Sequence, residues 1–409
     1  MSQERQKVIP IASESQVKQR QMRDLGQRLT TLPPLSLYVH VPWCIKKCPY
    51  CDFNSHEAPA SLPEADYLAA LTQDIEQALP LIWGRQIHTV FIGGGTPSLM
   101  SEGAVDQLLA IIRSRLALWP DAEITLEANP GAAEAHRFKA YAKSGINRLS
   151  LGIQSFDDQK LQRLGRAHDA KQARDAIAMA CDAVARVNLD LMYGLPDQTL
   201  AQCQADLAQA VAFGTEHLSL YQLTLEPQTV FAKYPPALPH ESVIDDMEQA
   251  IEQQVVQAGW QRYEVSAYAK PGAQCRHNMN YWTFGDYLGV GPGAHSKLSF
   301  PERIIRQART RNPQQWMHAA AGSDDSHISE QRELTNEDLP FEFFLNALRL
   351  QQGVPIALLH DHTGISLAEA QPMIERALDK KLLTLNAGVI APTPLGWRHL
   401  NELQTLFLR

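Results

Sequence analysis

The 409-residue sequence lacks the features that would direct it to a membrane or to nucleic acid. No apolar run approaches the ~20 residues that span a bilayer, and the N-terminus has no apolar signal core. Lys and Arg number 37 against 45 Asp and Glu, and the resulting net charge of −8 disfavours a nucleic-acid-binding surface. We therefore expect a cytoplasmic protein that does not bind nucleic acid.

Cysteine is scarce as well, because the chain has six and no second pair that would complete a zinc knuckle. Three of them, Cys44, Cys48 and Cys51, lie within eight residues, and a reducing cytoplasm favours ligands over disulfides. One such triplet fits a [4Fe–4S] cluster with three protein ligands and one open iron. The alternatives are a Cys₃His zinc site, completed by His40 or His56, and an accidental cluster.

Strand-like and helix-like patterns alternate six times between residues 35 and 258. Strands are predicted at 35–41, 88–92, 123–127, 148–154, 187–192 and 217–225. Helices are predicted at 64–79, 104–118, 134–144, 170–183, 200–212 and 242–258. Six strand–helix units predict an α/β fold, an incomplete (β/α)6 barrel whose active residues stand at the C-terminal ends of its strands.

Composition divides the chain into a flexible N-terminal tail at 1–34, a barrel core at 35–260, an extension at 261–314, a linker at 315–330 and a C-terminal domain at 331–409. The tail is polar and has no apolar period. The last part combines helices with a hairpin at 381–391 and a helix that begins at Thr393 and Pro394. This pattern predicts a small helical, winged-helix-like domain. Residues 333–409 carry nine acidic and six basic side chains, which argues against DNA binding.

The cysteine spacing Cys-x₃-Cys-x₂-Cys, directly after the first predicted strand, resembles the signature of the radical S-adenosylmethionine (SAM) superfamily. Within that superfamily, the chain from about residue 35 onward resembles the oxygen-independent coproporphyrinogen III oxidase family. The resemblance implies a [4Fe–4S] cluster on Cys44, Cys48 and Cys51 and an exchangeable SAM. The residues that it assigns to the SAM pocket are Tyr38, Tyr50, Gly94, Gly95, Thr96, Glu127, Gln154, Arg166 and Asp190.

Most of these residues end predicted strands, where ligands of a barrel bind. The run Gly93-Gly-Gly95-Thr96 ends the second strand without the sequence of a P-loop, so an ATP site is not expected. Asp190 offers a carboxylate to the ribose hydroxyls, and Arg166 offers a cation to the carboxylate of SAM.

Position 53 separates the branches of this family. The oxidases carry a fourth cysteine there and a longer N-terminal segment, whereas this chain has Phe53 and only 43 residues before Cys44. Both departures favour the branch of heme chaperones. The run from Cys275 to Trp282 resembles the His-Asn-x-x-Tyr-Trp motif that is associated with heme in that branch.

The resemblance therefore suggests a heme site at His277, Asn278, Tyr281 and Trp282. An imidazole is a common axial ligand of heme iron, and flat aromatic rings pack against the macrocycle. A structural role for the histidine and the aromatic pair is the alternative. Further candidates are His295 or the Cys275 thiolate as ligand, and Arg303, Arg306 and Arg309 as partners of the propionates.

The leading hypothesis is a heme chaperone that passes heme to an acceptor hemoprotein, such as a membrane-associated respiratory enzyme. No catalytic residue is assigned, and coproporphyrinogen oxidase activity is not expected. The rival hypothesis is a radical SAM enzyme that acts on a porphyrinogen. A zinc-bound winged-helix regulator is a third reading, which the acidic C-terminal domain disfavours.

Overall fold

The structure is a computed structural model, and it describes residues 29, 31–131, 135–322 and 325–408. Its largest element is a sheet of twelve strands, which we number β1 to β12 in chain order. The strands are β1 Leu35–Val41, β2 Gln86–Gly94, β3 Ala117–Ala128, β4 Arg148–Gln154, β5 Arg186–Tyr193, β6 His217–Gln222, β7 Gln261–Arg262, β8 Ala267–Ala269, β9 Asp286–Val290, β10 His295–Ser299, β11 Ile304–Arg309 and β12 Ile328–Glu333. Their order in the sheet is β12-β11-β10-β9-β1-β2-β3-β4-β5-β6-β8-β7.

The first six strands are those that the sequence predicts, and they pair in parallel in chain order. The two end strands, β12 and β7, do not pair with each other, so the barrel is incomplete as predicted. A seventh parallel strand, β9, was not predicted and lies beside β1. The C-terminal ends of the parallel strands therefore meet at one edge of the barrel, where ligands bind.

Helices connect these strands and cover the sheet. They are Glu64–Ala78, Glu102–Arg115, Phe138–Ser144, Asp158–Arg163, Ala170–Ala183, Leu200–Ala212, Val230–Lys233, Glu241–Gln257, Arg276–Trp282 and Pro313–Ala320. The helix at 170–183 begins at Asp169, whose side chain forms a capping box with Gln172, and it buries Ala173, Ile177 and Ala180 at helical spacing. Within the described ranges, every helix is too short or too polar to cross a bilayer.

The segment predicted as a linker, 315–330, instead contains most of the helix Pro313–Ala320 and the start of β12. Trp316 is fully buried in this helix, and its Nε1 donates to the buried Asp74 carboxylate at 3.3 Å. β12 pairs with β11 along one edge and is largely exposed. An exposed edge strand carries no alternation of apolar residues, which is why the sequence pattern resembles a loop here.

The C-terminal part contains the predicted helices and hairpin. The helices are Asp338–Ala347, Ala357–Thr363, Leu367–Asp379, Pro394–Arg398 and Leu400–Thr405. Strands Leu383–Asn386 and Val389–Pro392 form the hairpin, and Val354–Pro355 pairs as a third strand. Phe343 and Phe344 share one apolar core with Phe284 of the extension, so this part packs directly on the barrel.

The predicted tail, 1–34, falls outside the described residues for 1–28 and 30. Its described end packs against the barrel rather than extending freely. Leu29 is buried, and its N–H donates to the Pro301 carbonyl at 3.1 Å. The Pro34 carbonyl accepts from the Asp286 N–H at 2.9 Å. The boundary of the barrel therefore lies before residue 35.

Candidate functional site

The three clustered cysteines lie on the loop that follows β1. Two short parallel strands, Trp43–Cys44 and His56–Glu57, join the ends of this loop, and the Ala58 N–H donates to the Cys44 carbonyl at 2.8 Å. All three thiols are partly exposed and line one cavity of about 130 Å³, which we call the cysteine cavity. The loop therefore brings the three predicted ligands to one place.

Eight of the nine residues assigned to SAM line the cysteine cavity. They are Tyr50, Gly94, Gly95, Thr96, Glu127, Gln154, Arg166 and Asp190. Tyr50 lies on the cysteine loop, and Arg166 follows the helix Asp158–Arg163 that comes after β4. The others come from β2 to β5 and from the segment that directly follows β2. Tyr38 is the exception, because it faces a neighbouring cavity, where its hydroxyl lies 3.0 Å from His40 Nδ1.

Arg166 is the principal cation of the cysteine cavity. Its Nη2 donates to Asn129 Oδ1 at 2.6 Å and to the Gly152 carbonyl at 2.7 Å, and its Nη1 lies 3.7 Å from Cys48 Sγ. In the described ranges no carboxylate forms an ion pair with it, and its buried Nε has no partner. Burial opposes its charge, but the nearby Tyr50 and Cys48 raise the pKa of Arg166. A positive charge is therefore available to an anionic ligand.

The cysteines and their surroundings fit an iron–sulfur cluster. Burial raises the pKa of Cys44 and of Cys51, so each thiol keeps its proton until a metal displaces it. Thr96 Oγ1 donates to Cys44 Sγ at 3.5 Å, and Ser55 lies beside Cys44 and Cys51 in the same cavity. Among the described residues no three His, Cys, Asp or Glu converge on one point, as the ligands of a single ion would. A cubane differs, because each thiolate binds a different iron.

Two carboxyl groups, those of Glu127 and Asp190, line the same cavity. Burial, followed by the proximity of Asp190, raises the pKa of Glu127 to about 7, and burial also raises the pKa of Asp190. Glu127 Oε2 accepts from the Gly94 N–H at 3.0 Å. Asp190 accepts from Asn188 Nδ2 at 2.7 Å and from Ser150 Oγ at 3.3 Å. Both carboxyls can accept further hydrogen bonds from the hydroxyls of a ligand.

Gly94 and Gly95 are required by the fold itself. Gly94 has a φ of +115°, and a Cβ there would lie 2.6 Å from the His40 ring. A Cβ on Gly95 would lie 2.5 Å from the Trp43 carbonyl oxygen. A larger residue at Gly94 would displace the His40 ring, and one at Gly95 would push the cysteine loop away from β2.

A second cavity of about 590 Å³ opens beside the cysteine cavity. Tyr281 and Trp282 of the predicted heme motif line it, and we call it the aromatic cavity. The two cavities share Phe53, Gly94 and Glu127 in their walls. A ligand in the aromatic cavity would therefore lie directly beside the cysteine cavity.

The other two motif residues, His277 and Asn278, are not in the wall of the aromatic cavity. His277 is 1% exposed in the helix Arg276–Trp282. Its Nδ1 lies 2.7 Å from Thr89 Oγ1, and its Nε2 lies 2.9 Å from the Tyr281 hydroxyl. Burial lowers the pKa of His277 to about 3, so the ring is neutral. His277 therefore supports Tyr281 without lining the cavity, and both of its ring nitrogens already have hydrogen-bond partners.

The other candidates for contacts with heme separate into cavity residues and core residues. Of the three arginines considered for the propionates, only Arg306 lines the aromatic cavity. Arg309 is buried and lies 3.2 Å from Asp74, and Arg303 precedes β11 in the turn after β10. Cys275, the alternative thiolate, is fully buried, and its Sγ donates to a glutamate carboxylate at 3.5 Å. The structure therefore leaves His295 and Arg306 at the cavity.

The sequence patterns do not single out two further residues of the cysteine cavity. Asn129 Nδ2 donates to Thr96 Oγ1 at 2.9 Å, and Tyr221 donates to Gln154 Oε1 at 2.7 Å. Asn129 stands two residues after Glu127, just beyond the end of β3, and Tyr221 lies near the end of β6. Their position at strand ends is the signal that could identify them.

Comparisons with known proteins agree with this arrangement. A family model described as the radical SAM superfamily matches residues 38–210, and the HemN C-terminal domain matches residues 334–399. The chain is 46% identical over 382 residues to the heme chaperone HemW of Escherichia coli, which covers 93% of this chain and 100% of that protein. It is also 46% identical over 383 residues to the heme chaperone HemW of Haemophilus influenzae, with 92% of this chain and 98% of that protein covered.

Among solved structures, the chain is similar to coproporphyrinogen III oxidase (HemN) from Escherichia coli, described as a radical SAM enzyme. The TM-score is 0.78, with 95% of this chain and 93% of that chain covered. At 22% identity this likeness establishes the common fold. The identity to the full-length relatives establishes more: this chain belongs to the HemW family within the radical SAM superfamily.

Proposed function

We propose that this chain is a heme chaperone, which binds heme and passes it to an acceptor hemoprotein. The observation that carries the proposal is the similarity to a protein named for that function, at 46% identity over 93% of this chain and 100% of the relative. The similarity extends through the barrel, its extension and the C-terminal part together. It therefore includes both cavities.

The size and lining of the aromatic cavity support this proposal. Its volume of about 590 Å³ lies within the range of roughly 300–1,000 Å³ that small-molecule sites occupy. Phe53, Tyr281 and Trp282 offer aromatic surface to a flat macrocycle. His295 and Arg306 add an imidazole and a cation to the same walls. An apolar ring with acidic substituents matches these features.

Radical SAM proteins carry a [4Fe–4S] cluster and bind SAM, so both are cofactors of this chain. We propose Cys44, Cys48 and Cys51 as the ligands of the cluster, with its remaining iron open to SAM. A cluster held by these cysteines would supply, in its reduced form, an electron to bound SAM. Arg166 offers its unpaired charge to the carboxylate of SAM, and Asp190 accepts from the ribose hydroxyls.

The remaining predicted residues of the cysteine cavity complete the proposed SAM site. They are Tyr50, Gly94, Gly95, Thr96, Glu127 and Gln154. Tyr38 faces the aromatic cavity instead, so we propose that it contacts the ligand bound there. Glu127 lines both cavities and thus stands between the two proposed ligands.

One observation favours a second candidate function, a radical SAM enzyme acting on a porphyrinogen. Because the two cavities share walls, a tetrapyrrole in the aromatic cavity would lie beside bound SAM. Three residues stand in the shared walls, and one of them, Phe53, is 59% exposed and has neither a thiol nor a proton to donate. This side chain supports binding of a flat ring rather than transfer of a hydrogen, so we rank the chaperone first.

We further propose that the chain acts in the cytoplasm and that its acceptor is a hemoprotein such as a membrane-associated respiratory enzyme. The net charge of −8 and the acidic C-terminal part support a protein partner over nucleic acid. Transfer requires that the heme site be open, and the aromatic cavity meets this condition because His295 in its wall is exposed.

One anaerobic experiment separates the two functions. Reconstituted protein is assayed for hemin binding, for transfer of heme to an apo-hemoprotein, and for consumption of coproporphyrinogen III with reductant and SAM. The chaperone proposal predicts binding and transfer without loss of the porphyrinogen. Turnover of coproporphyrinogen by the wild type would instead establish the enzyme.

A further inference from the structure

Three histidines lie at or beside the aromatic cavity, and they differ in whether a ring nitrogen is free. Both nitrogens of His277 are bonded, and its side chain is buried. His40 lines the cavity, but its Nδ1 lies 3.0 Å from the Tyr38 hydroxyl and its Nε2 lies 2.8 Å from the Asn54 carbonyl oxygen. The exposed ring of His295, in the described part of the chain, has no hydrogen-bond partner at either nitrogen.

The protonation of His295 suits a metal ligand. The partial burial of His295 lowers its pKa, and the charges of Arg306 and Arg311 act in the same direction against the opposing charge of Glu330. The ring is therefore neutral at neutral pH, and a neutral imidazole is the form that ligates iron.

Three cations line the same cavity, and they differ in whether a carboxylate neutralises them. Lys297 is buried 3.0 Å from Asp286, and Arg306 is paired with Glu342. Arg311 is exposed, and in the described ranges no carboxylate forms an ion pair with its guanidinium. Arg311 is thus the cation best able to receive an acidic group of a ligand.

We infer that His295 ligates the heme iron and that Arg311 binds a heme propionate. The inference rests on the proposed function, because it assigns roles within the proposed heme site. His295 begins β10 and pairs in register with Ala308 of β11, and Arg311 follows three residues later, so one edge of the sheet extension carries both groups. A single heme can therefore meet both at the same rim of the cavity.

The same geometry makes His277 a positioning residue. It fixes the Tyr281 hydroxyl at 2.9 Å, and its ring stacks on Phe91 at a centroid distance of 5.0 Å. Tyr281 in turn lines the cavity. Loss of His277 should therefore change the shape of the cavity without removing a bond to iron.

Three ligands of matched shape separate these roles in titrations of the anaerobically reconstituted full chain. Hemin has both iron and propionates, protoporphyrin IX lacks the iron, and hemin dimethyl ester lacks the propionate charge. The variants are His295→Ala, Arg311→Gln and His277→Ala. The controls are His136→Ala and Arg303→Gln, two exposed residues outside the aromatic cavity. Circular dichroism checks the fold of each variant, and His295→Gln replaces His295→Ala if the latter unfolds.

Each variant has its own expected result. His295→Ala should weaken hemin binding about tenfold or more and shift the Soret band, with protoporphyrin IX binding changed by less than about twofold. Arg311→Gln should weaken hemin and protoporphyrin IX about three- to tenfold, and hemin dimethyl ester hardly at all. His277→Ala should weaken hemin and protoporphyrin IX by the same factor. The controls should bind all three ligands like the wild type.

The outcomes that overturn the inference differ from the one that overturns the proposed function. If the wild type binds hemin but His295→Ala binds hemin as tightly, or loses protoporphyrin IX equally, His295 is not the ligand. If His277→Ala loses affinity for hemin but not for protoporphyrin IX, His277 of the motif is the ligand of the iron. If Arg311→Gln weakens the binding of hemin and of its dimethyl ester equally, Arg311 does not bind a propionate. If the wild type itself binds hemin no better than an unrelated protein, the heme function fails.

Discussion

The two cavities of this molecule share a wall but are built differently. The cysteine cavity is lined largely by polar and charged groups, among them the three thiols, Arg166, Glu127 and Asp190. The aromatic cavity is larger and lined by rings, and two of its cations, Lys297 and Arg306, are already paired with carboxylates. Polar and charged groups that converge on one cavity indicate a polar ligand that bonds to them. Aromatic walls indicate a flat apolar ligand.

The comparison also explains how one chain can hold a cofactor and a cargo. The cysteine cavity is small, and parallel strands fix its position. The aromatic cavity has four to five times that volume, and a helix, loops and the sheet extension add to the ends of β1 to β3 in its walls. A resident cofactor suits the first, and a ligand that must leave suits the second.

The largest expected effect is the loss of the cluster, which would allow the aromatic cavity to be studied without it. Replacing Cys44, Cys48 and Cys51 together with Ser should reduce iron from about four per chain to nearly none, because a cubane needs its thiolates. Iron and sulfide analysis after anaerobic reconstitution measures this. Cys181→Ser, on the outside of the helix Ala170–Ala183, is the matched control. Full iron in the triple variant would contradict the assignment.

The next effect tests the polar character of the cysteine cavity. Arg166→Gln should weaken SAM binding about 10- to 100-fold, because a charged hydrogen bond contributes roughly 1.5–3 kcal/mol. Calorimetry on the reconstituted protein measures the affinity. The control is Arg163→Gln, whose guanidinium is about half exposed and pairs with Asp197. An unchanged affinity in Arg166→Gln would show that the cation does not meet SAM.

A smaller effect tests the aromatic character of the other cavity. Trp282→Ala should weaken hemin binding about tenfold, because a large ring leaves the wall, and iron content should stay unchanged. Trp282→Phe should retain most of the affinity. Trp83→Ala removes a tryptophan that is 86% exposed, outside the aromatic cavity, and serves as the control. Equal losses in the two alanine variants would show that the effect is not local.

The smallest effect concerns the shared wall. In the folded chain the pKa of Glu127 is raised from the usual 4.5 to about 7. The protonated carboxyl therefore contributes fully to the free energy of unfolding below about pH 4.5, and this contribution is lost as the pH rises through about 7. Glu127→Gln should therefore flatten the decline of stability between about pH 5 and pH 8, by about 2 kcal/mol. Thermal unfolding across this range measures it. A steeper decline in the variant would reverse the sign and contradict the account.

The cysteine cavity was largely predictable because its residues follow a local code. The apolar pattern of the sequence predicts each parallel strand, and the residues at the C-terminal ends of these strands lie on one edge of the barrel. Gln154 and Asp190 lie on strands whose bounds the sequence predicts to within a residue or two. Tyr38 lines the aromatic cavity, and its contact with SAM stays a prediction, because resemblance identifies a residue but not the cavity that its ring faces.

The aromatic cavity was less predictable because distant segments form it. Phe53, Tyr281 and Arg311 meet there although they stand on three separate loops and elements. The role of His277 depends on Thr89, which is 188 residues away in the chain. No pattern in one stretch of sequence reports such a contact. The residue type alone favours a structural histidine and the resemblance suggests a heme contact, and only the buried geometry shows that both nitrogens are already bonded.

The central claim is that the two cavities hold different ligands, and one paired measurement tests it most directly. Iron content and hemin affinity are determined on the same preparations of the Cys44, Cys48 and Cys51 triple serine variant and of Trp282→Ala. The account predicts opposite patterns: the triple variant loses iron and keeps most of its hemin affinity, whereas Trp282→Ala keeps its iron and loses hemin affinity. Loss of hemin binding in the triple variant, with full hemin binding in Trp282→Ala, would contradict the claim.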